Sequence, residues 1–253
     1  MKINEKAVSE AIGFVLILGI VISGIGLVTL YGYPVLVKEQ SNTDVRNMER
    51  AMIVIQNDMK SLCFKNVPYK ETALQVSGGT FEVINASDYG GYINVTNGTA
   101  DFQQDYYLGA LTYRSDRGTG VITLENGAVM IRQDWAAGSA MLAEPRWFYD
   151  DSTKTFVIYV MNITTDTYMA KSGMTTVRMS LEDSSTQSIP VWPGDNVTVE
   201  YTGGSSGDYS TAWENYLTGT SVGMDKTAID GKYERTDVSK LVIKEYRIKI
   251  RDI

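Results

Sequence analysis

Ala11-Ile-Gly-Phe-Val-Leu-Ile-Leu-Gly-Ile-Val-Ile-Ser-Gly-Ile-Gly-Leu-Val-Thr-Leu30 is almost wholly apolar, and no charged residue stands between Ala11 and Val37. At 1.5 Å per residue, about 20 helical residues match a hydrocarbon core about 30 Å thick. A core helix of a water-soluble domain carries a polar stripe, and this segment has none. Residues 8–37 are therefore expected to form one membrane-spanning helix. Lys2 and Lys6 precede it; positive flanks stay on the cytoplasmic side, so the rest of the chain is expected outside the cell. Tyr31 and Tyr33 stand where an interfacial aromatic belt would lie, and Pro34 predicts a kink or a short break.

Beyond Pro34 the pattern changes. Val45, Met48, Met52, Ile55, Met59 and Leu62 recur every three or four residues, with Arg46, Asn47, Glu49, Arg50, Gln56, Asn57, Asp58 and Lys60 facing elsewhere. This spacing predicts an amphipathic helix over residues 38–66, ended by Val67-Pro68. Its stripe has two readings: packing on the chain's own sheet, or a seam with a neighbouring copy.

A secretory signal peptide has a shorter apolar core with a small-residue cleavage site after it. Here the small residue, Ala7, stands before the core. The run Glu5-Lys6-Ala7-Val8-Ser9-Glu10-Ala11-Ile12-Gly13 resembles the class III signal of archaeal type IV pilins and pilin-like proteins, over about the first 35 residues. The resemblance implies a leader, residues 1–7, cut by a prepilin peptidase between Ala7 and Val8, with the apolar helix kept on the mature chain. It also implies a bilayer anchor before assembly, self-association through the N-terminal helix afterwards, and contact with pilus assembly machinery. Glu10 stands where many archaeal pilins carry Pro, and Ile12 where the bacterial pattern has Glu. Glu10 reads either as an assembly residue that neutralises a neighbour's new amine or as a solvated flank.

Residues 70–253 read as a mostly antiparallel, β-sandwich-like domain, making the fold class α+β. Sixteen Tyr, four Trp and abundant Thr and Val favour strands. Asn126-Gly127 between Val121–Glu125 and Ala128–Arg132 is the strongest hairpin signal. Further hairpins are expected at Asp88–Gly91, between Thr80–Ile84 and Tyr92–Val95, and at Asp150–Lys154, between Trp147–Tyr149 and Thr155–Met161. Thr175–Leu181, Ile189–Val191, Val197–Tyr201 and Lys240–Ile250 read as strands. Gly203–Ser210 reads as a flexible loop before a short helix, Thr211–Leu217, and Gly219–Asp230 as loop again.

The composition excludes much chemistry. The 253 residues contain no His and one Cys, with a net charge of −7. Zinc sites need His or clustered Cys, and triad chemistry needs His. No enzyme activity, cofactor or metal is expected, and an acidic chain without a basic patch is not expected to bind nucleic acid. Gly203-Gly-Ser-Ser-Gly207 matches a nucleophile elbow in letters but lacks its histidine. Asp150-Asp151 and Asp195-Asn196 could hold Ca²⁺, yet read more simply as turn residues. Cys63 reads as a small core residue.

Five Asn-x-Ser/Thr sequons, at Asn85, Asn94, Asn97, Asn162 and Asn196, exceed the roughly two that composition gives by chance. They point to a glycosylated surface, with Asn94 and Asn97 near a turn. Tyr89, Tyr92, Tyr106, Tyr107, Trp192, Tyr209, Trp213 and Tyr216 fill a core or form an adhesive surface. The function that the resemblance implies is a type IV pilin-like cell-surface subunit. The alternative is an uncleaved, single-pass, adhesin-like binding module.

Overall fold

The computed structural model describes residues 5–65, 67–98, 102–135 and 138–253, with side chains from Ile12 onward. The chain divides into two compact units, Met1–Thr43 and Asp44–Ile253.

The first unit is helical. Helix α1 (Glu5–Leu27) passes through a π turn (Val28–Gly32) into helix α2 (Tyr33–Phe64). At Pro34, where a kink or a short break is expected, the helix continues, and the irregularity takes the form of the π turn just before it. In a regular α-helix the Pro34 ring would collide with the carbonyl of Leu30. Here the ladder widens, and the Tyr33 N–H donates to Val28 O, five residues back. Thr29, a polar residue in the apolar run, donates its hydroxyl to Ile25 O at 2.9 Å and so needs no water.

The second unit has three layers. Its larger sheet has nine strands among the described residues, in the order β7 (Ser139–Ala143), β6 (Ala128–Gln133), β5 (Gly120–Glu125), β4 (Ala110–Ser115), β1 (Tyr69–Ile84), β10 (Met169–Pro190), β14 (Lys240–Asp252), β9 (Thr155–Thr164) and β8 (Phe148–Asp150). Every neighbouring pair is antiparallel except β14 and β9. A smaller sheet has the order β12 (Asp225–Lys226), β13 (Lys232–Arg235), β11 (Val197–Thr202), β2 (Tyr92–Thr96) and β3 (Gln103–Tyr107).

The α2 stripe seals one face of the larger sheet. Met48, Met52, Ile55, Met59 and Leu62 are buried against Leu74, Phe81, Leu111, Tyr113, Ile122, Leu124, Val177 and Ile250. This decides between the two readings of the stripe: it packs on the chain's own sheet and is not available as a seam. Full burial stabilises each such side chain by about 1.5–3 kcal/mol. The smaller sheet and helix α4 (Ser210–Leu217) cover the opposite face, enclosing Ile93, Val95, Phe156, Ile158, Val199, Trp213, Leu241 and Ile243.

Strand β14 shows how one sequence serves both faces. Leu241 and Ile243 face the smaller sheet, while Ile248 and Ile250, of opposite parity, face α2. In β1 a bulge does the reverse. The register with β10 slips between Val76 and Phe81, where Gly78 takes φ 60° and Gly79 has no room for a side chain against Tyr113. The slip changes parity, so Leu74, Val76, Phe81 and Val83 all stay on the helix side.

The hairpins at Asn126-Gly127 and at 150–154 form as expected, the first with φ 46° and 72° at its two turn residues. Three expectations are corrected. Thr80–Ile84 and Tyr92–Val95 do not form a hairpin: β1 and β2 belong to different sheets, with a short helix α3 (Ala86–Tyr89) between them. Thr175–Leu181 and Ile189–Val191 are not separate strands, because β14 pairs along the whole stretch and draws it into one strand, β10. The loop 219–230 contains a two-residue strand, β12.

Candidate functional site

Among the described residues one helix is long and apolar enough to cross a membrane, and none of its most apolar window is buried. Seventeen large apolar side chains between Ile12 and Leu36 are exposed, from Phe14 to Leu30 and beyond. Left in water, each forfeits about 1–2 kcal/mol, a total of about 20–30 kcal/mol. That exceeds the whole net stability of an ordinary domain, about 5–15 kcal/mol, so this surface requires a cover. Ala7, Val8 and Glu10 lie in the helical backbone of α1, where the structure describes no side chains; Lys2 lies outside the described residues.

The second unit has a polar cluster at its centre. Glu125 ends β5, fully buried between the two sheets. Its Oε1 accepts from Tyr201 Oη at 2.7 Å and Trp213 Nε1 at 2.8 Å; Tyr89 Oη bonds Oε2 and lies 2.9 Å from Ser206 Oγ. Nearby, Tyr209 Oη donates to Thr123 Oγ1 at 2.8 Å. Burial pushes the Glu125 carboxyl above its ordinary range, and the three donors counter that only in part. Burial, then the neighbouring carboxyl, pushes the Tyr89 and Tyr201 phenols far above theirs. The cluster joins β5, β11, α3, α4 and the 203–208 loop, and it is sealed from solvent. Its chemistry is that of an internal tie. The sequence hid it: Val121, Thr123 and Glu125 alternate with Ile122 and Leu124, as in a strand with one wet face, yet both faces are covered.

The 203–207 segment does lie between strand β11 and helix α4. Ser205 is exposed and Ser206 is buried on Tyr89. Ser205 lines a cleft of about 310 Å³ with Glu82, Asn85, Asp88, Asp166 and Tyr168, and Asp166 is paired with Lys249 at 2.8 Å. Among the described residues no group of three or more His, Cys, Asp or Glu is placed to hold a metal ion. Asp150 accepts from Ser152 N and Thr153 Oγ1 within its own turn, and Asp151 pairs with Lys154. Asn196 donates to Glu234 at 3.2 Å.

The sequons separate by burial. Asn94, in β2, is 8% exposed and donates to Asp105 Oδ1 at 2.6 Å; Asn97 is 3% exposed. The access expected for this pair is therefore corrected: the strand pairing that follows the turn covers both, and Thr99 of the second sequon lies outside the described residues. Asn85, Asn162 and Asn196 are half-buried. Of the aromatic residues singled out, Tyr89, Tyr106, Tyr209, Trp213 and Tyr216 are core, Tyr92 is half-buried, and Tyr107 and Trp192 are exposed. Cys63 is buried in the other core, between α2 and the larger sheet, which pushes its thiol up to about 12 and away from reactivity. Sequence reasoning passed over Trp135, in the turn after β6; the one signal was a large aromatic in Asp134-Trp-Ala-Ala-Gly138, where turn residues are expected.

No curated protein and no solved structure matches the chain. Residues 6–249 match one family, described as a family of unknown function (DUF7289), and the matched stretch takes in the apolar helix and both sheets. The chain belongs to the DUF7289 family.

Proposed function

We propose that this protein is a structural cell-surface protein, a type IV pilin-like subunit. The observation that supports it most is the unbroken helical run from Glu5 to Phe64. Its first half leaves an apolar surface uncovered, and the last turns of its second half are sealed on the chain's own β layers. A prepilin peptidase cuts between Ala7 and Val8 on the cytoplasmic side. The helix then holds the mature chain in the bilayer, with the β unit outside the cell. On assembly the same apolar surface exchanges lipid for the helices of other copies, with Glu10 near the new N-terminal amines. Asn85, Asn162 and Asn196 are the sequons with the better access for glycans. The resemblance of the leader makes the source archaeal.

Intact mass and N-terminal sequencing of the chain from its native membrane test this reading. A mature N-terminus at Val8 is the expected result. A chain that retains Met1 supports the second reading, an uncleaved anchor for an adhesin-like module, and removes the pilin pathway.

A further inference from the structure

The second unit has a defined entry end, where α2 begins its contact with the sheet. A Cβ placed on Gly120, at the start of β5, would stand 3.0 Å from Val45 Cγ2, and one on Gly78 would collide with the Asp44 carboxylate. Gly120 pairs with Gln133 of β6, so the turn that follows β6 lies at this same end. That turn is held firmly. Asp134 N donates to Thr119 O at 2.6 Å, and its carboxylate is bound by Arg114 at 3.0 Å and Arg132 at 3.1 Å.

The next residue is Trp135. It takes the left-handed conformation, φ 69°, and is 98% exposed. The other tryptophans differ: Trp147 and Trp213 are buried, and Trp192 is 64% exposed. A tryptophan held at positive φ by its neighbours is strained, and a bare indole forfeits its burial as well. Both costs fall on one residue at one place, on a base that two arginines fix.

The helical link bounds how far that end can stand from the apolar run. The uncharged run ends at Val37, and Lys38 is joined to Asp44 through six helical steps, about 9 Å at most whatever angle the units take. The interfacial zone on each side of a bilayer is about 5–7 Å deep. That link is no longer than about the zone and one residue of extended chain together, so an indole at that end is within reach of it. Indole rings favour that zone, being apolar in body and polar at Nε1. With Arg114 and Arg132 neutralising Asp134, the tip offers the indole rather than a bare carboxylate.

We propose that Trp135 is a foot that rests in the phospholipid headgroup zone and fixes the β unit against the membrane surface. This rests on the reading of the apolar helix as a bilayer anchor. The test uses the full chain reconstituted into phosphatidylcholine–phosphatidylglycerol vesicles, with lipid brominated near the carbonyl end of its acyl chains. Wild type and Trp192→Phe should show bromine-quenched tryptophan emission, and Trp135→Phe should lose most of that quenched component. Trp135 should also be shielded from iodide in the outer solution. Equal bromine quenching in wild type and Trp135→Phe overturns the proposal. So does shielding that vanishes on dilution of protein in lipid, which would assign Trp135 to a second copy. If alkaline carbonate strips the chain from the vesicles, the anchor reading itself fails. A retained chain whose Trp135 stays open to iodide overturns the foot alone.

Discussion

Gln56 Nε2 donates to the main-chain oxygen of Gly127 at 2.6 Å, tying helix α2 to the tightest turn of the nine-stranded sheet. The turn is not a surface feature. Asn126 is fully buried, its Oδ1 accepts from Met161 N at 2.7 Å, and a Cβ on Gly127 would stand 2.9 Å from Met161 Sδ. Gln56 also donates to Glu144 O, which keeps a second donor in Lys60. Gln56→Leu therefore leaves chiefly the Gly127 carbonyl without a partner. The expected loss is about 1–3 kcal/mol, read from denaturant unfolding in detergent. An unchanged midpoint would mean the bond contributes nothing.

Met52 is fully buried in the stripe that sits on the sheet. Met52→Ala removes volume that the surrounding Ile, Leu and Tyr side chains cannot refill, and should cost about 2–4 kcal/mol. Because the stripe is internal, the oligomeric state should not follow it. Light scattering that shows a change of subunit number at unchanged stability would contradict this packing.

Glu125 makes stability depend on pH with a definite sign. Its carboxyl in the folded chain is raised above the ordinary 4.5, so the folded state keeps a proton that the unfolded chain has released. The unfolded state then binds fewer protons, and stability falls as pH rises from about 4.5 until the folded carboxyl ionises. Glu125→Gln should flatten this part of the profile. Unfolding midpoints between about pH 4 and about pH 8 check it, and parallel profiles for the two chains would refute it.

Cys63 should resist alkylation. A thiol pushed up to about 12 by burial offers far less thiolate near pH 8 than a free one. Iodoacetamide should react about 100–1000 times more slowly with the folded chain than with the unfolded one. Mass spectrometry of timed samples measures this, and equal rates would show that the end of α2 opens readily.

Much of the fold was legible in the sequence because its signals are local. A run of 20 almost wholly apolar residues, the three–four spacing from Val45 to Leu62, and Asn126-Gly127 between alternating strands each specify their own element. The misreadings share a cause. Asp88–Gly91 carries good turn residues, but those constrain only the backbone at the turn and not which sheet receives the next strand. In Met169–Pro190 the Ser- and Thr-rich middle lacks a strand's apolar alternation, and β14 supplies the pairing that makes it one strand. Trp135 and Glu125 were illegible for the same reason: exposure and burial are set by partners distant along the chain.

The sequence by itself determined that an apolar helix longer than 20 residues precedes an amphipathic one and a β-rich region, and that histidine chemistry is absent. Those follow from composition and period, which act over a few residues. Only the tertiary structure decided that the methionine stripe closes on its own sheet, that a carboxyl with three donors lies sealed between two sheets, and that Trp135 stands almost wholly outside. Each of these depends on which surfaces meet. That choice is made by contacts between residues far apart in the chain, where burial is shared and no single segment carries the signal.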